Sequence, residues 1–180
     1  MKPELSLLRF LWHDALIGGA ALNKLVKELI PAMFTVAGVA VFLCTWYQLP
    51  ETVPIHFGVT GRPDGYGPKI ALAMLPVISI IMYISLSFGE ASNRFNIPWK
   101  LTDENREALL AHCRKLLWLM KVHTSALLAY IQWKAAETAL SRADGLGAWF
   151  APVFLGGMFL IIGWFYARGV QLAKNSFGDV

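Results

Sequence analysis

Two groups of residues carry chemistry that stands out from their surroundings. The first lies in Pro50 to Lys69, PETVPIHFGVTGRPDGYGPK, which brings His56, Asp64, Tyr66 and Lys69 into one short segment. An imidazole, a carboxylate, a phenol and an ammonium can together bind a polar or charged ligand. The segment also holds Pro50, Pro54, Pro63 and Pro68 with Gly58, Gly61, Gly65 and Gly67, too punctuated for a flexible linker. Arg62-Pro63-Asp64-Gly65 has tight-turn chemistry, with proline second and glycine fourth, and Val53 to Phe57 is predicted to be extended. Two readings stand: a recognition loop, since binding residues favour loops held by a rigid scaffold, or a folded cap on the helices it joins. The second group is Lys121 and His123, ionisable residues inside an otherwise apolar stretch.

Neither group completes a catalytic template. The chain contains no HExxH helix, no GxSxG elbow and no GxxxxGK[ST] phosphate loop. His56 and Asp64 lack the nucleophile that would make a triad and the third ligand that would hold a metal. The glycines around Asp64 do not follow the strand-to-helix pattern of a dinucleotide site. Cys44 and Cys113 fall at opposite ends of predicted helices, so no disulfide is expected; His112 and Cys113 are consecutive and diverge by about 100 degrees on a helix. The expectation is a non-enzymatic protein with no cofactor and no metal.

The elements that must position these residues follow from composition. Hydrophobic residues make up 56% of the 180, charged residues 16%, and mean hydropathy is +0.50. Soluble domains carry about 25% charged residues. Residues 29–50, 70–89 and 145–167 are free of Asp, Glu, Lys and Arg, and 116–133 contains only Lys121. Each run is near the roughly 20 residues that cross a bilayer as a helix. The fold class expected is all-α: a polytopic membrane protein with four transmembrane helices (about 29–50, 69–89, 116–135 and 147–167), preceded by a cytoplasmic amphipathic segment, 1–28. The loop 50–69 is expected to be ordered. Eleven Lys and Arg flank one side of these spans and four (Arg62, Lys69, Lys134, Arg142) the other. The bias places both termini in the cytoplasm of a bacterial cell membrane, with 50–69 outside. The net charge of +4 thus marks orientation, and no nucleic-acid partner is expected. Trp46, Tyr47, Tyr130, Trp133, Trp149 and Phe150 form an outer aromatic belt, and Trp118, Trp164 and Tyr166 an inner one.

Within this frame the N-terminal segment reads as an interfacial helix, broken near Gly18-Gly19. Pro31 falls in the first turn of span one, where its missing amide hydrogen is harmless. Thr102 caps a helix whose start carries Asp103 and Glu104. An apolar stripe from Leu109 to Met120 carries that helix into span three. Lys121 is expected to snorkel to the headgroups. His123 reads as a neutral interhelical hydrogen-bonding residue, because the charge-free spans offer no partner for a proton or substrate path. Gly156-Gly157, Gly163 and Ala37-Gly38 with Ala40 permit close helix contact.

At the outer loop the chain resembles the DUF1648 family of bacterial membrane proteins, also the front domain of SdpI-like immunity proteins. The resemblance rests on Leu49-Pro50, Pro54-Ile55-His56-Phe57, Gly61, Asp64-Gly65-Tyr66-Gly67 and Lys69. Weaker matches are Thr102 to Arg106 and Tyr130 to Trp133, so that it spans about residues 30–135. Gly58 departs from the asparagine that often follows the His-Phe pair. The resemblance implies immunity to a secreted antimicrobial toxin, or membrane signalling. The expected role is a scaffold, sensor or immunity protein whose recognition surface includes Pro50, Pro54, His56, Phe57, Gly61, Asp64, Gly65, Tyr66 and Lys69. The expected partners are the lipid bilayer and a membrane protein or secreted peptide. The alternative is a small transporter, or a subunit of one, using Lys121 and His123.

Overall fold

The computed structural model describes residues 4–92 and 94–174, with side chains from residue 24 onward. In chain order the elements are α1 (Glu4–Thr45), β1 (Thr52–Phe57), β2 (Pro63–Pro68), a 3-10 turn (Lys69–Ala73), α2 (Met74–Ser92), α3 (Arg106–Ala139) and α4 (Phe150–Lys174). The described residues form four α-helices, where four spans and a separate N-terminal helix were expected; the N-terminal helix is part of α1. The loop 50–69 is ordered, but it is a two-stranded antiparallel sheet, which corrects the all-α expectation. Its prolines and glycines do not prevent pairing because a two-stranded sheet has only edges, where a missing donor is tolerated.

Three helical stretches are long and apolar enough to cross a membrane: Lys24–Thr45, Lys69–Ser92 and Phe150–Lys174. Their outward faces expose Leu29, Val36, Leu43, Ile81, Ile84, Leu155, Phe159 and Leu160. So large an apolar surface is suited to lipid. The remaining helix, α3, sits at the centre and packs against α1, α2 and α4. Its polar residues are turned inward, with His112, Lys121, Ser125 and Gln132 all buried.

No break occurs at Gly18-Gly19: α1 is continuous in backbone from Glu4 to Thr45. The amphipathic character expected of 1–28 falls mostly on side chains outside the described residues. Pro31 therefore lies inside a helix, not in its first turn. An interior proline removes the donor that would reach the carbonyl four residues earlier, here Lys27. The indole Nε1–H of Trp118 fills that place, donating to the Lys27 carbonyl at 3.0 Å. Trp118 thus repairs a neighbouring helix besides lying near its end. One turn along, the Thr35 hydroxyl joins the Pro31 carbonyl and Ser125 Oγ at 3.1 and 3.2 Å.

α1 and α3 approach closely at Gly38. A Cβ there would lie 3.2 Å from the Ala129 Cα and would strike the Gln132 amide. Gly157 similarly leaves room for the His123 ring, whereas Gly156 and Gly163 have open space around them. Small residues thus do specific packing at two positions of those anticipated. At the other end of α3, the His112 Nε2 lies 2.9 Å from the Phe165 carbonyl of α4, and its ring stacks on Phe165. The start of α3 is held by Thr102 and Asn105, each side-chain oxygen accepting from the other's backbone amide.

Replacing Gly38 with Val should separate α1 from α3, since the obstacle at Ala129 is backbone. Overpacking of this kind costs about 1–3 kcal/mol. Thermal unfolding in detergent should show a lowered Tm for Gly38→Val and little change for Gly163→Val.

Candidate functional site

The loop predicted as a recognition surface is built from the inside out. Val53 is fully buried and packs with Leu49, Leu72 and Ala135, a cluster extended by Phe42, Trp46, Phe57 and Leu75. Burying a side chain of that size contributes about 1.5–3 kcal/mol. Lys69 ties the base of the hairpin shut: its backbone amide donates to the Glu51 carbonyl at 2.9 Å, and its Nζ meets Glu51 Oε1 at 2.8 Å. The same ammonium stands 5.3 Å from the Trp46 ring centroid.

The turn is one segment earlier than predicted. Gly58 donates to the Arg62 carbonyl and Gly61 to the Gly58 carbonyl, and Gly61 has φ 74°. That left-handed conformation favours glycine. Pro63-Asp64-Gly65 then belongs to β2, and not to the turn. The loop between α3 and α4 docks on this tip: Leu146 donates its amide to the Gly61 carbonyl at 2.7 Å, and Tyr130 Oη donates to the Leu146 carbonyl at 2.7 Å. Tyr130 also sits among Trp133, Trp149, Phe150 and Phe154. Two distant stretches of chain thus make one surface.

On that surface the register pairs His56 with Gly65 and Pro54 with Tyr66, and Ile55 bulges out between them. Gly65 has no Cβ, and an added one would lie 3.0 Å from the His56 Cβ, so the imidazole lies across the second strand. His56 Nδ1 meets Asp64 Oδ1 at 2.5 Å while the two side chains stay 72% and 53% exposed. An exposed pair adds little stability. It fixes ring orientation, leaving Nε2 as the nitrogen a ligand would meet. Tyr66 is exposed, Pro50 is exposed before β1, Pro54 and Gly61 are buried, and Phe57 and Lys69 are half-buried. A Cβ at Gly58 would lie 2.9 Å from Asp64 Oδ2, so a longer side chain there would press on the carboxylate. A shallow cavity of about 690 Å³ borders His56, Phe57, Thr60, Asp64, Leu146 and Phe150. Among the described residues, no three His, Cys, Asp or Glu side chains are grouped to hold a metal ion.

Lys121 and His123 behave differently from expectation. Lys121 does not snorkel: it is 0% exposed, and its Nζ is 2.8 and 2.9 Å from the two carboxylate oxygens of Glu28 and 2.9 Å from Glu90 Oε2. Ser87 Oγ lies 3.2 Å from the ammonium, and the Tyr83 ring centroid 5.6 Å. Tyr83 Oη donates to Glu28 Oε2 at 3.1 Å. One cation joins α1, α2 and α3 through two carboxylates. Those partners escaped the sequence reading because Glu28 and Glu90 sit one residue beyond the charge-free runs 29–50 and 70–89. His123 forms no hydrogen bond among the described residues; its ring packs on Phe154 and Gly157, so the hydrogen-bonding role is not realised. The outer loop and Lys121 lie at different levels of the bundle and share no residue.

Residues 33–80 match the family described as "Domain of unknown function (DUF1648)". Over those residues the chain is similar to a DUF1648 domain. The DUF1648 segment takes in the upper part of α1, the whole hairpin and the start of α2, with His56, Asp64, Tyr66 and Lys69 inside it. Glu28, Glu90 and Lys121 all lie outside it. An "Uncharacterized protein" of Archaeoglobus fulgidus is 53% identical over a stretch covering 31% of this chain and 36% of that protein. The chain thus aligns with little more than a third of that relative's length. No solved structure matches the chain.

Substituting Lys121 with Met should strand two carboxylates beside each other. Breaking a buried pair by removing one partner costs about 3–5 kcal/mol. The Tm in detergent should fall sharply for Lys121→Met and recover most of the loss in the Lys121→Met/Glu28→Gln/Glu90→Gln triple variant.

Proposed function

We propose that this protein is a non-enzymatic membrane recognition protein of the scaffold, sensor or immunity type, with the DUF1648 hairpin as its recognition surface. The observation that carries this reading is the pinned hairpin: an inner face locked by Val53 and Lys69, and an exposed His56–Asp64 pair whose imidazole is oriented by the carboxylate. Rigid presentation lowers the ordering cost of binding. The partner is a secreted peptide or another membrane protein, recognised at the imidazole, carboxylate and phenol and along the adjoining cavity.

In this reading α3 is a fourth crossing, since 34 residues reach about 51 Å as a helix. Its charges are answered inside the bundle, which is why its composition is less apolar than that of its neighbours. The inside-positive bias sets the hairpin outside the cell and both termini in the cytoplasm. Resemblance to the front domain of SdpI-like proteins supports immunity to a secreted antimicrobial peptide as the specific form. A transport role is the second reading, favoured by the buried Lys121 cluster, because ionisable groups at such depth often mark an ion path.

Expression in cells sensitive to a panel of secreted antimicrobial peptides should raise survival against at least one. The His56→Ala and Asp64→Ala variants should lose most of that protection at equal membrane abundance. Survival unchanged by the intact protein across the panel would count against immunity, and equal protection by the variants against the hairpin. For the second reading, a pH-sensitive dye inside proteoliposomes should report proton entry that Glu90→Gln abolishes; identical traces with and without protein would remove it.

A further inference from the structure

At the opposite end of the bundle from the hairpin, α1, α2 and α3 enclose a cavity of about 960 Å³. Its lining separates into a floor and a rim. Glu28, Ser87 and Glu90 form the floor, and their polar atoms converge on Lys121 as described above. Lys24 and Lys27 from α1 and Arg114 and Lys115 from α3 form the rim, with Trp118 between them. Four cations stand against two carboxylates, and both carboxylates already have an ammonium partner in Lys121. The positive charge is therefore left at the mouth. Arg114 shares its charge with Glu107 at 3.4 Å, and Lys115 leans over the Trp164 ring at 5.0 Å.

The surroundings specify what kind of anion fits. Leu25, Val26 and Leu29 on α1 and Phe88 on α2 are exposed next to the rim in sequence, with Phe88 75% exposed. A ligand with a charged head and apolar chains satisfies both features at once. A small soluble anion would use only the first. We propose that this cavity is a binding site for the phosphate-bearing headgroup of an anionic membrane lipid, its acyl chains lying along α1 and α2. Basic pockets between transmembrane helices bind such headgroups, each Lys or Arg near the surface contributing about 1 kcal/mol. The site lies outside the DUF1648 segment and uses none of the hairpin residues, so it stands or falls independently of the recognition reading.

Binding is measured on the whole purified protein in detergent by native mass spectrometry. The probes are phosphatidylglycerol, phosphatidylcholine and inorganic phosphate. Phosphatidylglycerol should remain bound where phosphatidylcholine does not. Lys24→Gln/Lys27→Gln, on exposed positions that should leave folding intact, should weaken its retention by about tenfold or more. Adding Arg114→Gln/Lys115→Gln should weaken it further, while Lys134→Gln/Arg142→Gln on the hairpin side should leave it unchanged. Equal retention of the two lipids would overturn the proposal. So would undiminished retention by the four-fold variant, or displacement of the lipid by millimolar inorganic phosphate, which would make the site one for a soluble anion.

Discussion

A single ammonium organises the interior of this bundle. Lys121 is out of contact with solvent, and among the described residues the carboxylates that compensate its charge come from two other helices. In an apolar medium an isolated ammonium is too costly to leave unpaired, so α3 is held in the rotation and depth that bring Nζ to Glu28 and Glu90. Other contacts of the bundle are compatible with that setting: Gly38 lets α1 approach at the level of Ala129, and Gly157 admits His123 from the far side. Van der Waals packing alone specifies helix register weakly, whereas a buried charge with two defined partners admits one arrangement. Whether it also adds net stability is a separate matter, because desolvation offsets much of the attraction.

The two ends of the bundle have separate chemistry. At one, the hairpin and the loop before α4 meet through the Gly61 carbonyl and the Leu146 amide, and a His–Asp pair lies exposed on the hairpin. At the other, basic residues ring a cavity whose floor is the Lys121 cluster. Nothing in the described residues links the His56–Asp64 pair to Lys121 by a continuous chain of polar contacts. The DUF1648 segment contains the hairpin of the first end, with its His56–Asp64 pair, but not the Leu146 loop that docks on it, and none of the charged residues of the second end. The recognised domain therefore supplies a surface, while the helix that completes the charge cluster comes from beyond it.

Much of this was legible in residue order, and what was not has physical causes. Charge-free runs located the helices, and the extended stretch Val53 to Phe57 became a strand. The turn was misplaced because Pro-Asp-Gly satisfies turn statistics equally well as an edge strand; what decided the matter was Val53, whose burial sets the register and pushes the reversal to Gly58–Gly61. Proline and glycine show where the chain can bend but not where tertiary packing makes it bend. Lys121 was misread for a related reason. A search for uninterrupted apolar residues ends at the charge that terminates each run, so Glu28 and Glu90 were counted as flanks. Three-dimensional proximity turned two boundary markers into ligands. Pro31 shows the same limit, since its cost depends on a tryptophan 87 positions later, and no local pattern connects them.

That tryptophan has a bearing on biogenesis. Chains enter a membrane from the N-terminus, so α1 and α2 are made while α3 is still being translated. During that interval the carbonyl of Lys27 has no Trp118 to serve, and the carboxylates of Glu28 and Glu90 have no Lys121. The first hairpin of helices is thus an unfinished half, with a backbone acceptor and two acids directed at a vacancy of one helix's width. A single incoming segment carries, within four residues, both the donor and the cation that close it. The third helix acts as a built-in assembly factor for the first two.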